Sequence, residues 1–129
     1  VGNFVFSKRS LDNLKGVHPD LVSVVKRALE LSNIDFAVLE GLRTPERQQE
    51  VIELGKSWTK NSRHLTGHAV DLGVVIDRHV NWYYPWYEKL YKFFKQSSDE
   101  LKIPIEWGGD WPKKDGGHYE LTWAAYPLK

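Results

Sequence analysis

At 129 residues, with 41% hydrophobic and 27% charged side chains, the chain has the size and make-up of one domain with its own core rather than a disordered or fibrous segment. A net charge of +1 gives bulk electrostatics no hold on nucleic acid or an anionic membrane, and no apolar run is long enough to span a bilayer. With no cysteine, disulfides and thiolate metal sites are excluded, so any metal must be held by His, Asp or Glu.

Residues 1–17 read as an irregular arm, where Phe4 and Phe6 alternate with polar neighbours as in a short strand or a strap over the core. A helix is expected from Pro19 to Leu31. Proline suits the first helical position, and Leu21, Val24, Val25, Ala28 and Leu31 or Ser32 share a face. Asp35 to Glu40 is β-prone and reads as a short buried strand that Gly41 ends. Thr44 can then cap a helix with Pro45 at its first position, running to about Leu54 and stopped by Gly55. Residues 56–63 look like a polar loop, and His68 to Val75 reads as a strand entered through Gly67. Residues 77–83 are expected as a loop or hairpin. A second long helix follows from Pro85 to Leu101, with Tyr87, Leu90, Tyr91, Phe94, Ser98 and Leu101 on one face. Residues 104–107 form a short strand, residues 107–112 a loop, and His118 to Thr122 the last strand, in which His118 and Glu120 point to one side. This order predicts an α+β fold: a small, mainly antiparallel sheet packed with two or three helices.

The polar residues that stand out fall in two clusters. Ser62 to Asp71 contributes His64 and Asp71; Asp115 to Glu120 contributes His118. Two imidazoles and one carboxylate leave a fourth position open, which is what a catalytic zinc needs, and their net positive centre would acidify water. Asp71 between Val70 and Leu72 is costly to bury unless something pairs with it, and a metal would remove that cost. By spacing alone the three fit equally well as unrelated polar residues, with Asp71 in a turn or cap. Asp115 could take a proton from water and pass it to a leaving amine, or be a turn aspartate before Gly116. Arg43, between a strand and a capped helix, could stabilise an oxyanion or make a surface ion pair. Glu120 could hydrogen-bond a metal-held histidine, and Ser62 could orient a ligand or cap a turn. His68 reads as a non-ligand, and His18 and His79 as ordinary loop histidines. Trp107, Trp111 and Tyr119 could line a substrate groove or belong to the core. No phosphate-cradling Gly-x-x-x-x-Gly-Lys, no Gly-x-Ser-x-Gly elbow and no thiol nucleophile is present.

Ser62-Arg63-His64-Leu65-Thr66-Gly67-His68-Ala69-Val70-Asp71, followed by Gly117-His118-Tyr119-Glu120, resembles the Ser-x-His-x-x-Gly-x-Ala-x-Asp…His-x-Glu signature of the D-Ala-D-Ala-type metallopeptidases. These group with lysostaphin-type enzymes and the hedgehog N-terminal domain. Gly41-Leu42-Arg43-Thr44 and Gln48 resemble a third block of that family. The subgroup it looks most like is the phage-type L-alanoyl-D-glutamate peptidases, small endolysins that cut the peptide stem of peptidoglycan. The resemblance runs from about Pro19 to Leu121. It implies one zinc ion on His64, Asp71 and His118, a catalytic carboxylate at Asp115 and a transition-state role for Arg43. Ser62, Gln48, Glu120, Trp107 and Tyr119 are candidates for supporting the ligands or binding substrate, and Arg63, Lys113 and Lys114 for meeting the substrate's acidic groups.

The expected activity is hydrolysis of the L-Ala–D-Glu bond of bacterial peptidoglycan. A D,D-carboxypeptidase or D-Ala-D-Ala dipeptidase, and a non-catalytic zinc-containing binding module, are the alternatives. Residues 1–129 are expected to be a single peptidase domain without a wall-binding module. It would be monomeric, made in the cytoplasm with no signal peptide, and active on the cell wall after release. Residues 97–115 show no equivalent of the acidic calcium-binding loop of some relatives, so calcium control is not expected.

Overall fold

The computed structural model describes residues 4–55 and 62–127. Its strands are β1 (Asp35–Glu40), β2 (Ala69–Ile76), β3 (His79–Asn81), β4 (Ile105–Trp107) and β5 (His118–Leu121). They pair antiparallel in the order β1-β2-β5-β4, with β3 also on β2. Among the described residues four helices accompany them: α1 (Lys8–Asn13), α2 (Pro19–Leu31), α3 (Pro45–Glu53) and α4 (Tyr84–Leu101). Short 3₁₀ turns occupy Arg63–Thr66 and Gly108–Asp110. The architecture is the expected α+β. Of the loop expected over residues 56–63, residues 56–61 lie outside the described residues. Among the described residues no helix is long and apolar enough to cross a membrane.

Strand β2 shows how the sheet divides core from site. Val70, Leu72 and Val74 join the core, whereas Asp71 alternates onto the opposite face. On β5, Tyr119 and Leu121 enter the same core, leaving His118 and Glu120 on the face of Asp71. Helices α2 and α4 close the core with Leu21, Val24, Val25 and Ala28 against Leu90 and Phe94, all fully buried. The buried Ser97 hydroxyl donates to the Val24 carbonyl at 2.8 Å, and Arg27 forks onto Glu100 at 2.5 and 2.9 Å. Leu101, expected on the buried face, is 38% exposed, because the helix ends there as Lys102 turns left-handed.

The N-terminal arm differs from the expectation. Residues 8–13 form helix α1, capped by the Ser7 hydroxyl, which accepts from the Ser10 amide. Six residues are too few to display a 3.6-residue period, which is why the arm reads as irregular. The helix covers the outer edge of β1: Ser10 Oγ accepts from Val38 N, while Asn13 Nδ2 donates to the carbonyls of Val38 and Leu39. Sheet edges left bare invite unwanted pairing, so this cover is useful. After β2, the hairpin to β3 turns on Asp77 and Arg78, both with positive φ, as a two-residue primed turn requires.

Gly67 ends the Arg63–Thr66 turn in the left-handed conformation (φ 74°), and a Cβ there would collide with the Gly16 carbonyl. Strain and clash together lead to an expected loss of about 2 kcal/mol or more in Gly67→Ala. Urea denaturation checks this, and an unchanged midpoint would contradict it.

Candidate metal centre

Three segments converge on the face of the sheet opposite α2 and α4. Ser62 Oγ accepts from the His64 amide at 3.2 Å and starts the 3₁₀ turn that carries His64. The His64 ring is then fixed by its Nδ1, which lies 2.8 Å from the Gly41 carbonyl. A carbonyl only accepts, so Nδ1 carries the proton and the lone pair of Nε2 is bare. That Nε2 is buried without a hydrogen-bond partner, 3.1 Å from Asp71 Oδ2.

His118 stands opposite Asp71 in the β2–β5 ladder. Its Nε2 lies 2.7 Å from Glu120 Oε1 and its Nδ1 3.0 Å from Asp71 Oδ1. Glu120 thus serves as the outer anchor of the ring and directs Nδ1 toward the centre. His64, Asp71 and His118 each offer one donor atom, all within 4.8 Å of one another. A bare imidazole lone pair 3.1 Å from a carboxylate oxygen is repulsive unless a positive charge lies between them. Imidazole nitrogen and carboxylate oxygen are also the donor set that suits a divalent ion such as zinc, so the residues fit a metal.

The electrostatics agree with that fit. Burial alone would raise the Asp71 pKa, but positive charge at the His64 position and hydrogen bonding by His118 hold it well below the usual carboxylate range. Burial likewise opposes the charged form of His118, yet Asp71 and Glu120 push its pKa up to about 10. Both shifts describe a pocket that favours positive charge beside Asp71.

Arg43 reaches Asp71 from the wall of the groove. It is buried, its Nη2 donating to Glu40 Oε1 at 2.6 Å and Asp71 Oδ2 at 3.3 Å, its Nη1 to Gln48 Oε1 at 2.7 Å. Gln48 therefore touches Arg43. Asp115 sits on the loop after the second 3₁₀ turn, where its amide donates to the Gly108 carbonyl and its own carbonyl accepts from His118 N. Gly117 lets this loop press on β2: Leu72 N donates to the Gly117 carbonyl at 2.8 Å, and a Cβ on Gly117 would strike Leu72 O. Asp115 lines the same groove as the three donor residues. Burial raises its pKa and the charge of Asp71 adds to the rise.

The groove measures about 1230 Å³, far more than an ion and a water occupy. Trp107 and Tyr119, considered for its wall, face the core instead. Trp107 stacks on Tyr91 at 4.3 Å and donates to the Gly116 carbonyl; Tyr119 stacks on Phe94 at 3.9 Å. Both occupy β-strand positions opposite to the site face. The aromatic wall is made by Trp111, tilted over His118 at 4.9 Å, and by the exposed Trp82 and Trp123. Trp82 and Trp123 carried no sequence signal, since exposure of a lone tryptophan beside a turn has no periodicity. Arg63 is also turned inward. Its Nη2 donates to the carbonyls of Leu121, Thr122 and Tyr126, and its guanidinium lies 4.0 Å over the Trp123 ring. Lys113 and Lys114 line the groove. His68 lies tilted against the ring of His18, which caps α2, and neither belongs to the donor cluster.

Known proteins resemble this chain over most of its length. The chain is 35% identical to the L-alanyl-D-glutamate peptidase of Escherichia phage T5, over 96% of this chain and 93% of that protein. It is 28% identical to the L-alanyl-D-glutamate peptidase of Listeria phage A118, over 94% of this chain but 43% of that longer relative. A crystal structure of the Serratia marcescens L-Ala D-Glu endopeptidase ChiX superposes with a TM-score of 0.89 at 45% identity, covering 95% of this chain and 93% of that one. The family model described as phage L-alanyl-D-glutamate peptidase matches residues 2–125, and the chain belongs to that family.

Proposed function

We propose that this protein is a zinc endopeptidase that hydrolyses the L-Ala–D-Glu bond in the stem peptides of bacterial peptidoglycan. The observation that carries the reading is the bare, buried Nε2 of His64 facing Asp71 and His118 at the floor of an open groove, in a chain of this peptidase family. A divalent ion held by His64, Asp71 and His118 supplies Lewis acidity, which lowers the pKa of water and polarises a carbonyl.

The chain's own residues do the rest. Gly41 and Glu120 fix the two imidazole tautomers, so that His64 Nε2 and His118 Nδ1 face inward. Asp115, whose pKa burial raises, takes a proton from the attacking water and returns it to the amine nitrogen of D-Glu as the peptide C–N bond breaks. The water oxygen remains on the new alanine carboxylate. Arg43 orients Asp71 through Oδ2 and places positive charge where negative charge develops on the scissile carbonyl oxygen. The groove exceeds the needs of a dipeptide, which suits an internal bond of a longer chain over removal of a terminal residue.

Digestion of purified muropeptides, followed by mass spectrometry of the new termini, tests the bond. The expected products end in L-Ala on the glycan side and begin with D-Glu on the peptide side. Release of terminal D-Ala alone would assign the carboxypeptidase reaction instead.

A further inference from the structure

Glu40 closes a strand in which Phe36 and Val38 face the core, and simple alternation would send Glu40 inward after them. It does not go there. The β1–β2 register runs Val38↔Leu72 and then Glu40↔Asp71, so a bulge adds one residue to β1. The extra residue moves Glu40 from the core face to the face of Asp71. There its Oε1 accepts from Arg43 Nη2 at 2.6 Å, the same nitrogen that reaches Asp71 Oδ2 at 3.3 Å. Its Oε2 also meets Arg47 Nε at 3.4 Å.

We propose that Glu40 is a positioning residue, which the β1 bulge presents to Arg43 so that the guanidinium supports Asp71 without capturing it. The proposal rests on the peptidase reading above. Arg43 is a buried cation with acceptors from Gln48, Glu40 and Asp71. The shortest contact on Nη2 belongs to Glu40. Without that acceptor, Arg43 closes on Asp71 and competes for the oxygen that faces His64 Nε2. The role needs a hydrogen-bond acceptor at the Oε1 position, which glutamine also supplies and alanine does not.

The test compares the full chain with Glu40→Ala, Glu40→Gln, Arg43→Ala and the Glu40→Ala/Arg43→Ala double variant. Measured are kcat and KM on a purified muropeptide, zinc affinity by competition with a chromophoric chelator, and melting temperature. In Glu40→Ala, zinc affinity and kcat are each expected to fall about tenfold or more, with KM changing less than about threefold. Glu40→Gln is expected to stay within about threefold of the parent in both. In the Arg43→Ala background, Glu40→Ala should add nothing further. Parental zinc affinity and kcat in Glu40→Ala would overturn the proposal, as would a lower melting temperature with zinc affinity unchanged. So would a Glu40→Ala loss that recurs undiminished without Arg43. A parent chain that binds zinc but cuts no muropeptide would defeat the peptidase reading instead, and the zinc affinities of the same five proteins would still decide the role of Glu40.

Discussion

Asp115→Ala is expected to slow muropeptide cleavage by about 100-fold or more while one zinc per chain stays bound. That factor corresponds to about 2.7 kcal/mol of activation free energy. The separation of effects follows from position. Asp115 lies in the groove but outside the cluster formed by His64, Asp71 and His118. Its loop is held by backbone contacts, Asp115 N to Gly108 O and Leu72 N to Gly117 O, which alanine preserves. Burial and the nearby Asp71 raise the Asp115 pKa, making it a stronger base than an exposed aspartate. Rates on a purified muropeptide, set beside elemental analysis of the same samples, decide the matter. Near-parental cleavage would remove Asp115 from the chemistry, and lost zinc would make it a ligand.

His118→Ala is expected to abolish both zinc retention and cleavage, a larger loss than the roughly 10–100-fold that removal of an outer partner causes. It should also destabilise the fold. Glu120 is buried with its Oε1 against His118 Nε2, so the substitution strands a carboxylate, at a cost of about 3 kcal/mol or more. His64→Ala strands no carboxylate in this way, because the ring's other contact is the Gly41 carbonyl. Comparing chelator competition and urea denaturation for the two variants separates ligand loss from partner loss. A His118→Ala chain that binds zinc as tightly as its parent would contradict the assignment.

Much of this arrangement can be read from the residues because local chemistry and tertiary position agree. Pro19, Thr44 and Pro45 start helices by satisfying or lacking the first amide protons, and the structure uses them so. Asp71 between Val70 and Leu72 announces a strand with one polar face, and His118 with Glu120 repeats that pattern on its neighbour. The parts that escape a linear reading depend on other segments. Helix α1 is short and is stabilised by contacts with β1 that no periodicity encodes. The faces of Trp107 and Tyr119 are set by which side of the sheet α4 covers. Glu40 escapes because a single bulge inverts the alternation on which strand reading depends.

Asp71 and His118 are rungs of one ladder, and the His64 ring hangs from a backbone carbonyl. The entropy of gathering these donors is therefore met when the sheet forms, not when an ion arrives. Small zinc modules whose ligands sit on short loops behave oppositely and unravel once the metal is chelated. An ion held by this preassembled set is expected to be removable, and exchangeable for another divalent ion, without the chain having to refold.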